Sequence, residues 1–578
     1  MNLSGQVTGG YTADYGSSGS DHGFAAGGAA TLSGSFYNPN FLNFSVLPFY
    51  NQSWANSDSQ SLISSSGVTA ATGIFSGSDY PGSINYTKVL NSTGNFGIPG
   101  VANYTSHGDS DALSIGWSEH VENLPMITVG YTEGTGDYSI YGASSNISNH
   151  FEGINATINY LVAGFTLTGG YHYLDTHVDL PEILGAPAES STSRSNSYSF
   201  GVTHKLPFNG SFSGSVSRSD VSSEYTGGNY NGTLDYISAG VAFQPIQYLN
   251  IGAQAQYNDN LLGSIYAPIL AAGGVLPTSL PDQSSHSLDI IGYGNYSIPA
   301  WHLIISGTDD HRDETLLGSA LTSDVFTGTV TYSNSLWGGF INATGGANHS
   351  TINPGDESRI GFLGSVNYSR RVHLWEATVS GNYVQNAQTL LITYTTNSYG
   401  YSGSLSRKFN RRTYWVLTGS GTKTTLLGQD GSGTFSQSYS SSLVLRKFTA
   451  TGGFSQSSGN GILTPAGIAA VTVLLPVVSP TSMILYGGTS YSASVSAAPF
   501  HGLQLSASYA HSISNTQSDS VSSNNRMEQF NARIQYLVRK MYFQAGYLYL
   551  TQGFSQSGVP PVTIGSIYVG LSRWFNFF

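Results

Sequence analysis

Apolar and polar residues alternate with a period of two along much of this chain. In 249–257 the apolar positions are separated by Asn250, Gly252, Gln254 and Gln256, and the same pattern recurs in 375–383, 503–509 and 529–538. Successive side chains of a β-strand point to opposite faces of the sheet. Each segment is therefore predicted to form a strand with one apolar face and one polar face.

Alternation of this kind also occurs in soluble β-sandwiches, so the composition is needed to choose between environments. Charged residues make up only 9% of the 578 residues, against about 25% in an ordinary soluble domain. The most apolar run, near Ile468–Val478, is broken by Pro476 and is shorter than the roughly 18 residues that a transmembrane helix needs. Strands with one face toward lipid and the other toward a wet lumen fit both observations.

Short connections alternate with longer loops rich in Ser, Gly, Asn and Asp. Outer-membrane barrels have short turns in the periplasm and longer loops outside. The pattern therefore predicts one large antiparallel transmembrane β-barrel over 1–578, located in a bacterial outer membrane. The predicted short turns are Asn38–Asn40, Asp79–Gly82, Glu122–Pro125, Leu161–Gly164, Leu206–Gly210, Gln244–Gln247, Ile298–Ala300, Asn334–Leu336, Arg370–Val372, Asn410–Arg412, Arg446–Lys447, Pro499–Gly502 and Arg539–Lys540.

The segments on either side of these turns predict about 28 strands, within a range of roughly 22–28. Strands about 4.8 Å apart and tilted by about 40° would give a backbone diameter of roughly 50 Å and a lumen of roughly 40 Å. An open hole of that size would leak, so we expect loops, a missing N-terminal piece or another protein to fill it. No signal peptide is visible, and we expect the leader and any N-terminal periplasmic piece to be absent from this sequence.

Aromatic and basic residues gather near the predicted short turns. Tryptophan is half apolar and half polar and prefers membrane interfaces, so a periplasmic girdle is predicted from Trp117, Trp301, Trp337, Trp375, Trp415 and Trp574. The basic residues could contact inner-leaflet headgroups and water, or dock an acidic periplasmic partner. They are Lys205, Arg370, Arg371, Arg407, Lys408, Arg411, Arg412, Arg446, Lys447, Arg539 and Lys540.

The final strand carries a family resemblance. Ile567, Val569, Leu571, Arg573 and Phe575 form an alternating strand, and the chain ends on Phe578. This segment resembles the C-terminal β-signal of bacterial outer-membrane β-barrel proteins, in which an alternating strand closes on a terminal aromatic residue. The resemblance implies a porin-like barrel inserted into outer-membrane lipid by the barrel assembly machinery.

The polar positions of the alternating segments are the predicted lumen wall. They include Gln254, Gln256, Glu376, Thr378, Gln529, Arg533 and Gln535. Charges on a lumen wall tune selectivity, so Glu376 and Arg533 are the most interesting of these positions. The alternative is that each forms an ion pair with a neighbouring strand.

Two loops and one cluster have open interpretations. The loops near 261–281 and 461–480 are unusually apolar, and they could fold inward as stoppers, bind a partner or pack on one another over the mouth. The charged run from Asp309 to Glu314 could bind a divalent ion or form a constriction. The ordinary alternative is the solvated outer end of a strand and its loop.

Three functions follow from a wide barrel, and one soluble alternative remains. The first is a conduit that serves as the sheath of a multihaem cytochrome, by loose analogy with porin–cytochrome complexes. The second is a general or solute-specific diffusion porin, and the third is the barrel of a plugged active transporter. A secreted adhesin would explain neither the tryptophans nor the last strand.

Enzymatic and cofactor chemistry find little support. The 14 histidines are scattered and suggest no triad, so we expect no enzyme, no catalytic residues and no metal site. The absence of cysteine removes covalent haem attachment, and haem could be present only in a partner protein. A net charge of −12 argues against nucleic acid as a partner.

Overall fold

A computed structural model describes residues 1–16, 19–53, 65–97, 103–140, 146–180, 189–260, 263, 285–316, 319–353, 357–386, 395–410, 412–426, 433–460, 485–518, 521–554 and 560–576. These residues form 28 antiparallel strands in one sheet. Each strand pairs with its neighbours in the sequence, and β1 pairs with β28, so that the sheet closes. No helix in the described ranges is long and apolar enough to cross a membrane.

The strands are β1 Asn2–Gly16, β2 Gly19–Phe36, β3 Leu42–Ser53, β4 Ser65–Ile74, β5 Gly82–Gly97, β6 Asn103–Glu119, β7 Met126–Ile140, β8 Asn146–Val162, β9 Phe165–Leu180, β10 Glu189–Leu206, β11 Gly210–Tyr225, β12 Gly228–Ile246, β13 Leu249–Asn258, β14 His286–Ile298, β15 Leu303–Leu316, β16 Ser319–Leu336, β17 Gly339–Asn353, β18 Glu357–Val372, β19 Trp375–Gln385, β20 Thr395–Asn410, β21 Thr413–Leu426, β22 Gly433–Leu445, β23 Phe448–Asn460, β24 Leu485–Ala497, β25 Leu503–Ser518, β26 Val521–Val538, β27 Met541–Phe554 and β28 Val562–Asn576. A single 3-10 turn, Pro299–Trp301, connects β14 to β15. The prediction of a large antiparallel barrel of about 28 strands is confirmed.

All thirteen predicted short turns correspond to connections at one end of the barrel, with two displacements along the chain. The turn predicted at Asn334–Leu336 lies at Trp337 and Gly338, and the one predicted at Arg370–Val372 lies at His373 and Leu374. Trp337 and Gly338 both have positive φ, 50° and 72°, as in the type I′ turns that suit two-residue hairpins. Bulky residues at positive φ are uncommon. For that reason the sequence pattern predicts these two turns a few residues N-terminal to their observed positions.

The connections at the other end are more varied. The longest ones, between β13 and β14 and between β23 and β24, contain the apolar loops predicted at 261–281 and 461–480. Apart from residue 263, those two segments lie outside the described residues. Other connections at this end are as short as residues 226–227, between β11 and β12.

The registers between neighbouring strands produce two continuous faces of the barrel sheet. Directly paired residues share a face of the sheet, so the pairing carries one set of alternate positions around the whole ring. Tyr11, for example, pairs with both Phe24 and Val569, whereas the adjacent Thr12 pairs with Gly23 and Tyr568. We call the set that contains Tyr11 the apolar face and the set that contains Thr12 the polar face.

One irregularity in the strand ladders has a clear local cause. The register between β12 and β13 shifts between Phe243 and Ile246, where Pro245 lacks the N–H that a ladder needs. With 28 strands at the usual spacing and tilt, a circular cross-section has a backbone diameter of about 55 Å. The structure is therefore much wider than a barrel that its own inward side chains can fill.

Candidate functional site

The apolar face has a sharp boundary toward the looped end. In β9 it runs from Phe165 through Tyr171 and Tyr173 and then changes to Asp175, His177 and Asp179. The nine residues from Phe165 to Tyr173 span about 23 Å along the membrane normal, close to the band of about 25 Å expected for such barrels. The boundary residues Glu133, Glu152, Asp175 and Arg194 are register neighbours across β7 to β10.

An ion pair fixes this boundary. Arg194 donates from Nη2 to Oδ2 of Asp175 at 2.6 Å and from Nε to the same oxygen at 3.0 Å. Neither partner would be stable in hydrocarbon, because a charge there costs several kcal/mol. The pair therefore lies outside the lipid, and the apolar positions below it lie within.

Aromatic residues mark the opposite boundary, near the short turns. Trp117, Trp375 and Trp415 lie on the apolar face at strand ends, and Trp301 and Trp337 lie in turns. Trp375 and Trp415 meet edge to face, with ring centres 6.1 Å apart, and Nε1 of Trp415 donates to Oγ of Ser441 at 3.0 Å.

Trp574 differs from the other predicted girdle residues. It pairs with Gln6 and therefore lies on the polar face, whereas Arg573 and Phe575 beside it occupy the apolar face. The reason is simple alternation, since a strand cannot present consecutive side chains to one face.

The last strand closes the ring through the residues that resemble a β-signal. Val569, Leu571 and Phe575 pair with Tyr11, Gly9 and Gly5 on the apolar face of β1. Phe578 lies outside the described residues. The use of this strand as a recognition signal stays a prediction.

All seven predicted lumen residues lie on the polar face. Gln254 and Gln256 are in β13, Glu376 and Thr378 in β19, and Gln529, Arg533 and Gln535 in β26. Nη2 of Arg533 donates to Oε1 of Gln544 at 3.3 Å, and the register partner of Glu376 in β18 is Arg371. The influence of these residues on a permeating species stays a prediction.

Hydroxyl groups dominate the polar face, and they pair across strands. Ser215 and Ser238 share a hydrogen bond of 2.7 Å, and Thr418 and Ser440 share another of 2.7 Å. Similar pairs join β10 to β11, β19 to β20 and β23 to β24. From Ser406 in β20 to Ser506 in β25, Lys408 at the periplasmic end of β20 is the one charged side chain among the described strand positions of the polar face. The result is a broad neutral wall of hydroxyls, which sequence alternation predicted only as scattered polar positions.

The exposure of the polar face changes along several strands. In β11, Ser211, Ser213 and Ser215 are exposed, whereas Val221 and Ser223 near the looped end retain only 5% and 2% of their accessible surface. In β10, Ser199 is exposed and Ser191 is buried. β17 shows the same change, from exposed Phe340 to buried Ile352.

The apolar face does not follow this gradient, because Arg218, Asp220 and Glu224 remain exposed beside the buried residues of β11. Protein therefore covers the polar face toward the looped end and leaves it open toward the short turns. Neither sequence periodicity nor composition indicated this difference, since both are alike at the two ends of these strands.

The charged run Asp309–Glu314 divides between the faces. Asp310, Arg312 and Glu314 lie on the polar face, where Arg312 pairs with Asp289 at 3.2 Å and with Asp310 at 3.5 Å. His311 is on the apolar face and lies 2.6 Å from Asp324. Among the described residues, no group of three or more His, Asp or Glu side chains is arranged to hold a metal ion.

Glu314 is the exception to this pairing. Its side chain is fully buried, and among the described residues neither carboxylate oxygen has a hydrogen-bond partner. A buried carboxylate without a partner costs free energy, so this position is a point of local instability in the wall.

The basic residues occupy only part of the rim formed by the short turns. We call the exposed or half-exposed set at the ends of β18–β23 and β26–β27 the basic crescent. It consists of Arg370, Arg371, Arg407, Lys408, Arg412, Arg446, Lys447, Arg539 and Lys540. Of the residues predicted from sequence to be at this rim, Lys205 lies apart in β10, and Arg411 lies outside the described residues.

These features define the chain as an outer-membrane β-barrel. The closed 28-stranded sheet satisfies its backbone hydrogen bonds internally, as a membrane requires, and its apolar face has the height and boundaries of a lipid-facing band. The molecule is thus a large transmembrane β-barrel, and its prediction as an outer-membrane protein is confirmed.

Comparison with known proteins adds only distant similarities. No protein-family model matches the sequence, and no curated protein sequence matches it. Among solved structures, the FrpB iron transporter from Neisseria meningitidis is 10% identical to this chain. The structural match covers 100% of this chain and 82% of the FrpB chain, with a TM-score of 0.38.

Two further solved structures are similar at the same level. The alcaligin outer membrane receptor FauA from Bordetella pertussis is 12% identical over 71% of this chain and 73% of its own, with a TM-score of 0.38. The siderophore receptor PirA from Pseudomonas aeruginosa is 9% identical over 99% and 80%, with a TM-score of 0.34. Structural similarities at this level of identity and TM-score give no information on the function of this barrel.

Proposed function

We propose that this barrel is a conduit whose lumen holds a folded protein that enters from the periplasm. The observation that carries the proposal is the exposure gradient of the polar face, which is open at the periplasmic turns and covered toward the looped end. A pore for solutes must be open at both ends of the barrel. A sheath around a folded protein needs a wide opening on the side from which that protein enters.

The width of the barrel also supports a conduit that holds a folded protein. Barrels of 16–18 strands already hold an aqueous channel, and 22-stranded transporters contain a plug. If the lumen of this 28-stranded barrel were empty between the covered end and the periplasm, only the loops at the covered end would prevent leakage across the outer membrane. A folded guest would contact the wall throughout the membrane span and exclude water there.

The chemistry of the wall suits a guest that carries its own cofactors. The hydroxyl pairs of β19–β24 offer donors and acceptors without fixed charge, so the wall would disturb the charges of a guest very little. A multihaem cytochrome that carries electrons across the membrane is the guest we propose. Haem would belong to that partner, and the barrel would supply insulation and orientation.

The barrel of a plugged active transporter is the second candidate. The same periplasm-open lumen favours it, because β1 rises from the periplasmic side and a plug folded ahead of β1 would enter from there. The two candidates differ in whether the guest belongs to a separate chain.

Purification from native membranes tests the proposal. We expect the full chain to copurify with a second protein that absorbs as haem, and to conduct no ions in planar bilayers while the guest is bound. A guest on the same polypeptide would identify a plugged transporter. A barrel that purifies alone, with a modest and saturable conductance, would instead support a diffusion porin and contradict the proposal.

A cysteine label adds a direct measure of lumen occupancy. Ser199→Cys lies on the exposed part of the polar face, and the matched control Asn209→Cys lies in an exposed periplasmic turn. We expect a bulky maleimide to react with both in the isolated barrel, and only with the control in the native complex. Equal labelling at Ser199→Cys in both preparations would show that the lumen is empty in the membrane.

A further inference from the structure

The basic crescent is confined to one side of the periplasmic rim. The rim of β18–β27 carries nine lysine and arginine residues within the described ranges, with Glu376 as the nearby acid. The rim from β2 to β17 carries Lys205 together with Asp79, Glu119 and Glu122. Because neighbouring strands in the sequence are neighbours in the ring, these two sets occupy two separate arcs of the circumference.

Lipid contact does not account for this asymmetry. Inner-leaflet headgroups surround the whole circumference of a barrel, so residues that serve only to anchor it would be distributed around the ring. The opposite arc instead ends in exposed apolar side chains, of which Trp301, Trp337 and Phe208 keep 67%, 75% and 68% of their accessible surface. The positive charge is therefore concentrated on one arc of the rim, in a way that lipid anchoring alone does not require.

The crescent also points in more than one direction. Arg407 lies on the apolar face, with its guanidinium carbon 4.8 Å from the ring centre of Trp375 and 4.6 Å from that of Phe409. Arg371 and Lys408 lie on the polar face at the mouth of the lumen. Arg412, Arg446 and Arg539 lie in the turns themselves. Only the first of these groups faces lipid, and the other two face the periplasm and the lumen entrance.

The crescent charges lack carboxylate partners. Away from this rim, Arg194, Arg218, Arg312 and Arg526 each pair with an Asp or Glu side chain. Within the described ranges no member of the crescent forms such a pair, although Nζ of Lys447 donates to the carbonyl oxygen of Pro499. The positive field at the rim is thus not cancelled internally, and it extends over about a Debye length, roughly 8 Å at physiological salt.

We propose that the basic crescent docks an acidic face of the protein that fills the lumen. This proposal rests on the proposed function. It adds that the guest contacts the basic arc of the periplasmic rim and that the contacting surface of the guest is acidic. The charges steer the guest toward one side of the mouth, and Arg371 and Lys408 contact it where it enters. Because the crescent covers one arc only, the guest binds in a single rotational orientation.

The experiment compares two variants with the same change in net charge. The crescent variant combines R412Q, R446Q, K447Q, R539Q and K540Q, all in turns, where folding of the strands depends on them least. The control variant combines K88Q, R194Q, R218Q, K423Q and R526Q, all away from the periplasmic rim. Heat-modifiable mobility in gels checks that both barrels are folded.

The probe is a fluorescent poly-L-glutamate peptide, added to each full-length barrel in a phosphatidylcholine nanodisc. We expect the crescent variant to bind it at least about tenfold more weakly than the wild type at low salt, and the control variant to match the wild type. Equal binding by the two variants would overturn the proposal. Loss of peptide binding when phosphatidylglycerol is included in the nanodisc would also overturn it, because lipid would then occupy the crescent.

Native membranes separate failure of this inference from failure of the proposed function. We expect the protein that copurifies with the wild type to be lost from the crescent variant at about 0.15 M salt and retained by the control. A guest retained equally by all three barrels would refute the docking role and leave the conduit intact. A wild-type barrel that contains no guest would refute the conduit itself.

Discussion

The guanidinium of Arg407 lies over the indole ring of Trp375, with its central carbon 4.8 Å from the ring centre. The two residues are register partners on the apolar face of β19 and β20. A cation above an aromatic face is attracted by the ring quadrupole, by about 0.5–1 kcal/mol at exposed sites and more where water is excluded. This contact holds a charge at the periplasmic edge of the lipid without an acidic partner.

We expect Trp375→Leu to destabilise the barrel by about 1 kcal/mol or more, because it removes the cation–aromatic contact and an interfacial indole. Trp415→Leu, at the neighbouring indole, is the comparison, since it leaves the contact of Arg407 with Trp375 in place. Denaturant-induced unfolding from lipid vesicles measures both. If Arg407→Gln costs the same in the Trp375→Leu background as in the wild type, the two side chains are not coupled.

Adjacent positions in β21 test which face lies against lipid. Leu417 is on the apolar face, and Thr418 is on the polar face, bonded to Ser440. An arginine on the lipid side costs about 2–4 kcal/mol at the membrane midplane and less toward the interfaces, whereas a lumen position tolerates it. Leu417 lies two residues from Trp415 at the periplasmic interface, so we expect Leu417→Arg to reduce the yield of assembled barrel and Thr418→Arg to leave that yield unchanged.

Heat-modifiable gel mobility and yield in the outer-membrane fraction distinguish these two variants. Leu417→Ala provides the control for loss of the leucine itself. Similar behaviour of the two arginine variants would contradict the assignment of the faces, and with it the membrane interpretation.

The exposure gradient of β11 predicts a gradient of chemical reactivity. The chain has no cysteine, so single cysteines can be introduced without background. We expect Ser211→Cys and Ser215→Cys to react readily with a water-soluble maleimide in the isolated barrel. Ser223→Cys should react at least about tenfold more slowly, because this position retains 2% of its accessible surface and a reagent needs contact with the thiolate.

Ser222→Cys is the matched control, since it lies beside Ser223 on the exposed apolar face above the lipid. Fast labelling at both Ser222→Cys and Ser223→Cys would mean that the looped end of the lumen is open. The conduit would then lack its covered end, and a diffusion pore would become the better explanation.

Two carboxylates on the polar face have opposite predicted effects on stability. Glu314 is buried and has no hydrogen-bond partner within the described part of the chain, and Glu314→Gln removes a charge that costs free energy to bury. We expect this change to leave stability unaltered or to raise it by about 1–2 kcal/mol. Asp289→Asn weakens the 3.2 Å pair with Arg312, and we expect it to lower stability by about 1–3 kcal/mol.

Unfolding transitions of the two variants, measured under one set of conditions, provide the comparison. Asp309→Asn, on the other face of β15, controls for the loss of one negative charge. A loss of stability in Glu314→Gln would show that this carboxylate has a favourable partner in the membrane-inserted protein.

The sequence by itself determined the fold class, a strand number of about 28 and the thirteen short connections, two of them slightly displaced along the chain. Its period-two pattern is a local property that each strand expresses independently, and in a barrel of sequential hairpins neighbours in the sequence are neighbours in space. For the same reason, the basic residues that cluster in the last third of the sequence occupy one arc of the rim.

Only the tertiary structure decided which side chains are covered. Val221 and Ser211 belong to the same strand and the same face, yet one is buried and the other exposed. Alternation is the same at both positions, so the sequence pattern cannot encode that difference. The pairing of Trp574 with Gln6 on the polar face likewise required the register of the closing strands, because height above a turn does not specify the face of the sheet.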